Sequence, residues 1–298
     1  MTAQSLSALL KKYDLQPRKG LGQNFLTDPH HLSKIVDAAE LSPHDTVLEI
    51  GPGPGTLTRE LVEQAARVIA VEVDSAMVNL LEHELGHFSN LVIIEADILE
   101  VKLNQILPTQ PTAPPRHDDQ TLDAPMTDSP SPTFKVVANL PYYITTAVLR
   151  HLLEASPRPD RLVITVQQEV AQRIVARPGK MSILAVSVQF YGRPTLIHRI
   201  PAGAFYPPPK VDSAVVRIDT FAQPPIPVAN TDYFFQVVRA GFGQKRKQLK
   251  NSLAAGLHRP VGEIVEAIHR SGIDPSRRAE TLSLEAWGQL VQAISAMI

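Results

Sequence analysis

From Thr46 to about Thr220 the chain alternates short β-branched runs with helical patterns, and this alternation constrains the fold more than any other feature. The runs are Thr46 to Ile50, Val68 to Val73, Leu91 to Ile94, Val136 to Ala138, Leu162 to Val166, Ile183 to Val188 and Ala214 to Ile218. Apolar runs without strict polar alternation suit strands covered on both faces. Helices between them imply right-handed parallel crossovers, so an open α/β sandwich with a mostly parallel seven-stranded sheet is expected. The last two runs are close in sequence, which points to an antiparallel edge hairpin. Ahead of the first strand, Asp28-Pro29 followed by Leu32, Ile35, Val36 and Ala39 reads as a capped amphipathic helix.

Two stretches break the pattern. Residues 104–133 are rich in Pro, Thr, Asp and Gln, with few large apolar side chains to offset their ordering entropy. They read as a mobile surface insertion. Pro224-Pro225-Ile226-Pro227 looks like a linker, and beyond it the pattern is helical. Leu249, Leu253 and Leu257 share one helical face, while Ile264, Val265 and Ile268 mark another helix. The expected division is therefore a ligand-binding α/β domain over 1–221 and a small C-terminal helical domain over 222–298. The lone Trp287 is assigned to core packing.

The chain contains no cysteine. That excludes disulfide frameworks, thiolate zinc sites and cysteine nucleophiles, and it fits a reducing cytoplasm. No metal is expected. No apolar run approaches the roughly 20 residues of a membrane-spanning helix, and Met1 to Leu10 lack a signal-peptide pattern. A cytoplasmic monomer with no membrane partner is expected.

Glu49-Ile50-Gly51-Pro52-Gly53-Pro54-Gly55 follows the first strand directly and opens a helix near Thr56. Glycines at alternate positions permit a tight turn and close approach of a ligand to the backbone. Between a strand and a helix, such a loop suits a nucleotide-like ligand. Glu72, at the end of the second strand, can accept hydrogen bonds from ribose hydroxyls, and Asp97, just past the third, can receive an adenine amine. A dinucleotide competes with this reading. Spacing as Gly-x-Gly-x-Gly, the lack of a second nucleotide half, and Asp97 favour S-adenosylmethionine.

Asn139-Leu140-Pro141-Tyr142 follows the fourth strand, again at its carboxyl end. The exocyclic nitrogen of adenine is a poor nucleophile because its lone pair is delocalised into the ring. Two acceptors, the Asn139 carboxamide oxygen and the Leu140 carbonyl, would orient that amine and offset the charge developing during attack. Pro141 stiffens the turn. Tyr142 offers a face for stacking the base. No strong base is required beforehand, because the proton can leave after methyl transfer.

These motifs, with Gly22-Gln23-Asn24-Phe25-Leu26 and the segment from Phe205 through Pro207-Pro208-Pro209 to Ser213, give a chain that resembles the ribosomal RNA adenine dimethyltransferases of the small-subunit type. The resemblance covers most of the chain. It implies a Rossmann-like class I methyltransferase fold that uses S-adenosylmethionine to dimethylate two adjacent adenosines near the 3′ end of small-subunit (16S) rRNA within an immature 30S particle. It implies cofactor contacts from Asn24, Leu26, Gly51, Gly53, Glu72, Asp97, Ile98 and Asn139. Tyr142 and Phe205 would sandwich the target base, where stacking is worth about 1–3 kcal/mol. The chain departs from the family at 104–133, where relatives typically have a shorter connection. Two alternatives are a large-subunit methyltransferase of the macrolide-resistance type and a non-catalytic assembly factor that keeps the fold.

A formal net charge of −1 argues mildly against RNA, yet an overall balance can hide a basic face. Arg239, Lys245, Arg246, Lys247 and Lys250 form a cluster with no acid between its ends. Placed on a helix whose leucines face the core, Lys245 to Lys250 would project toward phosphate and make the C-terminal domain RNA-binding. Lys11, Lys12, Arg18 and Lys19 form a second basic stretch.

Overall fold

The computed structural model describes residues 3–107 and 133–297. Most of the expected insertion at 104–133 therefore lies outside the described residues. In chain order the elements are α1 (Ala3–Lys12), β1 (Phe25–Leu26), α2 (Pro29–Ala39), β2 (Thr46–Ile50), α3 (Thr56–Val62), β3 (Arg67–Glu72), α4 (Ser75–Leu85), β4 (Leu91–Glu95) and α5 (Leu103–Ile106). Then come β5 (Lys135–Asn139), α6 (Thr145–Leu153), β6 (Arg161–Gln167), α7 (Gln168–Ile174), α8 (Ile183–Tyr191), β7 (Gly192–Ile200), β8 (Phe205–Tyr206) and β9 (Ser213–Thr220). The chain closes with α9 (Thr231–Phe242), α10 (Leu249–Leu257), α11 (Val261–Arg270) and α12 (Leu284–Ser295).

Seven strands form one sheet in the order β4-β3-β2-β5-β6-β9-β7. The pairs β4–β3, β3–β2, β2–β5 and β5–β6 are parallel, and β9 runs antiparallel to β6. The sheet is thus mixed. Every residue of β2 is buried, as a central strand covered on both faces requires. A core of Leu32, Ile35, Val36, Leu57 and Leu61 from α2 and α3 packs with Val47, Val137 and Val163 of the sheet. Helix α2 is capped as its sequence demands, with the Asp28 carboxylate accepting from the His30 N–H at 2.9 Å.

One expectation fails here. The run Ile183 to Val188 is helix rather than strand: the Ser182 hydroxyl accepts from the Ala185 N–H at 3.2 Å and starts α8, whose side chains are buried almost all round. A short apolar run carries no period that separates a buried strand from a buried helix. The strand actually present, β7, is polar, largely exposed and carries Pro194, as befits an edge. The last two strands do lie together at one end of the sheet, with β9 between β6 and the outermost strand β7.

The chain divides into two compact units, Met1–Ala171 with Thr195–Thr220, and Gln172–Pro194 with Phe221–Ile298. The helical unit therefore takes a contribution from before residue 222. The reason is aromatic packing: Phe190 of α8 stacks on Phe234 of α9 at 4.9 Å and meets Phe235 edge-on at 5.2 Å. Trp287 is fully buried against Phe242. Among the described residues no helix is long and apolar enough to cross a membrane.

Candidate functional site

Four parallel strands end at one rim, and the residues that follow them wall a cleft of about 290 Å³. From β2 come Ile50, Gly51 and Gly53; from β3, Glu72 and Val73; past β4, Asp97 and Ile98; and from β5, Asn139 to Tyr143. This is where open α/β sheets receive ligands. The facing wall is Leu21 to Phe25, ahead of the sheet in sequence.

Gly51 and Gly53 have φ of 67° and 54°, in the left-handed region where a side chain is strained. A Cβ on Gly53 would lie 2.6 Å from the Phe25 ring, so the loop also needs glycine to fit under the opposite wall. The Glu72 carboxylate accepts the N–H groups of Gly53, Val73 and Asp74 at 3.0, 2.9 and 3.0 Å. A carboxylate has about four lone-pair sites, which leaves roughly one for a ligand hydroxyl. Burial pushes the Glu72 carboxyl up from its ordinary value against those three donors. Asp97 is exposed, with Oδ1 taken by the Leu99 N–H at 2.9 Å. A nucleoside-like ligand fits this donor and acceptor set.

Asn139 is oriented by its partner. Its Nδ2 donates to the Asn24 carbonyl at 3.0 Å. A carbonyl accepts only, so the amide nitrogen must face Asn24 and the carboxamide oxygen must face the other way. Leu140 is buried and its N–H donates to the Thr165 carbonyl at 3.2 Å, which fixes the turn to β6. Tyr142 is half-buried with its hydroxyl 2.7 Å from Ser213 Oγ; burial raises its phenol above the usual value.

A second cleft, about 670 Å³, shares Gly22, Gln23, Asn24 and Tyr142 with the first and continues to Tyr206, the three prolines and Lys210. Lys11 also lines it.

The structure brings most of the sequence-predicted residues to this rim, with exceptions. Phe205 lies in the core with Leu26, Leu32 and Ile200 at 3% exposure and lines neither cleft. Its pairing with Leu26 across β1–β8 turns it inward, and Tyr206 is the aromatic of that segment that lines a cleft. Leu26 is itself buried and borders a small cavity beside Glu49 rather than the main cleft. Lys245, Arg246 and Lys247 are exposed in the turn between α9 and α10, not on a helix, because α9 ends at Gly243; Arg239 is exposed on α9, and Lys250 is half-buried on α10. In the N-terminal basic stretch, Lys12 pairs with Glu84 at 2.9 Å and Arg18 with Asp74 at 3.2 Å. The side chain of Lys19 lies outside the described residues.

Sequence reasoning missed Asp74. It is 2% exposed, caps α4 through the Ala76 N–H at 3.1 Å, and holds the facing wall through Gln23 Nε2 at 3.0 Å. An acid before Ser75 and a helical run is a legible N-cap signal. It gave no role to Tyr143, 63% exposed on the cleft, or to Glu49, which is buried with a carboxyl pushed up to about 8 by burial.

The sequence model of the ribosomal RNA adenine dimethylase family matches residues 15–296. Ribosomal RNA small subunit methyltransferase A of Dehalococcoides mccartyi is 45% identical over 284 residues, which cover 95% of this chain and 90% of the relative. Among solved structures, the 23S rRNA methyltransferase ErmE is 27% identical with a TM-score of 0.68, covering 91% of this chain and 100% of its own. A dimethyladenosine transferase from Plasmodium falciparum, 23% identical, shares the fold with a TM-score of 0.71 over 91% of this chain and 98% of its own.

Proposed function

The chain belongs to the ribosomal RNA adenine dimethylase family, and from that premise we propose that it dimethylates the exocyclic amines of two adjacent adenosines near the 3′ end of 16S rRNA, using S-adenosylmethionine, as a step in small-subunit assembly. S-adenosylmethionine, when bound, supplies an electrophilic methyl group on a sulfonium. Gly51 and Gly53 give its backbone cradle, Glu72 the remaining acceptor for a ribose hydroxyl, and Asp97 with Ile98 the adenine end. Asn24 joins the two sides of the site, since it lines both clefts and its carbonyl orients Asn139.

The observation that carries the reading is the fixed Asn139 amide. With its nitrogen held by Asn24, its oxygen serves as acceptor for the target amine, and the Leu140 carbonyl offers a second. Together they hold the amine so that its lone pair leaves conjugation, and they stabilise the positive charge that grows on it. The proton then departs to solvent, consistent with a lining that holds no histidine among the described residues. Tyr142, anchored by Ser213, gives one stacking face, and Tyr206 takes the neighbouring place proposed at first for Phe205. Lys11 and Lys210 in the second cleft, and Arg239, Lys245, Arg246, Lys247 and Lys250 on the helical unit, supply phosphate contacts suited to folded RNA.

The small-subunit substrate is favoured over the large-subunit one because the relative named for the small subunit is 45% identical, against 27% for ErmE. Asn139→Ala should lower methyl transfer to immature 30S particles by about 10²–10³-fold in kcat while RNA binding persists. Equal turnover in variant and wild type would refute the role of Asn139, and methylated positions mapped by mass spectrometry would test the substrate.

A further inference from the structure

Away from the cleft, three imidazoles converge. His30 and His31 stand in the first turn of α2, and His198 near the end of β7. One nitrogen from each lies within 4.8 Å of the others. His31 Nδ1 and His198 Nε2 are 2.8 Å apart, and the three ring centroids are separated by 5.4, 5.8 and 5.0 Å. Among the described residues the hydrogen bond between His31 and His198 is the one these rings make, and no carboxylate joins them.

Burial lowers the His198 pKa from its ordinary value, and the nearby His31, His30 and Lys34 lower it further. Neutral imidazoles are the form that binds metals. Two nitrogens in one tetrahedral zinc shell, each about 2.0–2.1 Å from the ion, stand about 3.3 Å apart. The His31–His198 pair is already near that separation, and the third nitrogen needs only a side-chain adjustment at a solvent-exposed residue.

We propose that His30, His31 and His198 bind one late first-row divalent metal ion, zinc foremost, through three imidazole nitrogens with a fourth position open to water. Cysteine-free, nitrogen-only coordination selects zinc, copper or nickel over magnesium and calcium. With no carboxylate or carbonyl bonded to the rings among the described residues, the site binds less tightly than three-histidine centres with oriented ligands. Its place in the fold gives it a role. The segment just before α2 is already tied to the segment after β7: Thr27 N–H donates to the Ala204 carbonyl at 3.0 Å, and Phe25 and Leu26 pair with Tyr206 and Phe205. A metal at the histidines adds one more tie along this seam and clips the chain that carries Asn24 to the far end of the sheet.

The test uses full-length, tag-free protein stripped with a chelator and titrated with zinc chloride alone. One equivalent should bind by calorimetry, and saturation should raise Tm by roughly 5 °C. Cobalt(II) in its place should give the intense visible absorption of a four-coordinate centre. His198→Asn and His30→Asn should each weaken zinc binding at least tenfold, while His83→Asn, remote from the cluster, should leave it unchanged. If His198→Asn lowers the metal-free Tm, the exposed His30→Asn decides. Absence of binding, binding equally strong in both variants, or a weak six-coordinate cobalt spectrum overturns the proposal.

Discussion

The two walls of the main cleft are held by different kinds of bond. Gly51, Glu72 and Asn139 extend strands that are paired along their length, with β2 flanked by β3 on one side and β5 on the other. The Gly51 N–H continues that ladder to the Val71 carbonyl at 2.9 Å. The facing wall, Leu21 to Phe25, leads into a two-residue bridge to β8 and is held by few side-chain contacts, chiefly Gln23 to Asp74, with Arg18 just ahead of it also paired to Asp74. Moving the first wall means breaking many hydrogen bonds together, whereas the second can open at the cost of a few. Local opening energies should differ accordingly, with the loop at the low end. A cleft built this way keeps its recognition groups fixed and lets one side admit the ligand.

Gly53→Ala strikes both walls and should do the most damage. A left-handed alanine costs about 1–2 kcal/mol, and its Cβ would force the Phe25 ring away from 2.6 Å. Affinity for S-adenosylmethionine should fall roughly tenfold to a hundredfold by calorimetry. Unchanged affinity would mean that the N-terminal wall yields freely even in the closed state.

Glu49→Gln probes the strand wall from beneath. Glu49 Oε2 finds no hydrogen-bond partner among the described residues, and burial followed by the charge of Glu72 raises its carboxyl to about 8 from 4.5. Between those values the folded state keeps a proton that the unfolded chain releases. Stability is therefore lost as pH rises through this window, by about 1.4 kcal/mol per pH unit for such a group. The raised Glu72 carboxyl adds a slope of the same sign. The glutamine variant should thus unfold at higher denaturant than wild type at pH 8 and show a flatter pH dependence. Parallel profiles would show that the buried carboxyl carries no such penalty.

Asp74→Ala acts on the loop wall. Loss of the α4 cap should cost about 1 kcal/mol. The Arg18 pair adds little, since that side chain is 58% exposed. Amide exchange should accelerate over residues 15–24 and stay unchanged in β2 and β5. Equal acceleration in both walls would erase the contrast.

What the sequence made legible follows the same division. Residues at strand ends were placed because a β-branched run, a glycine or carboxylate, and a helix signal occur in order, as from Thr46 to Thr56. Phe205 lies in the core, a side that a two-residue bridge without alternation does not reveal and that its pairing with Leu26 decides. The 183–188 run was misread because helix α8 is apolar on nearly every face. The hold of Asp74 on Gln23, across 51 positions, depends on tertiary packing and leaves no mark in spacing. The histidine trio was equally hidden, since His198 lies 167 positions from His31.

Gly22, Gln23, Asn24 and Tyr142 form a partition common to two chambers. A molecule that stiffens this partition from one side changes the affinity felt on the other, and thermodynamic reciprocity requires the return effect to be of the same factor. Under the proposed function, with donor in one chamber and nucleic acid in the other, exchange of spent donor for fresh would alter the grip on the nucleic acid by that same factor.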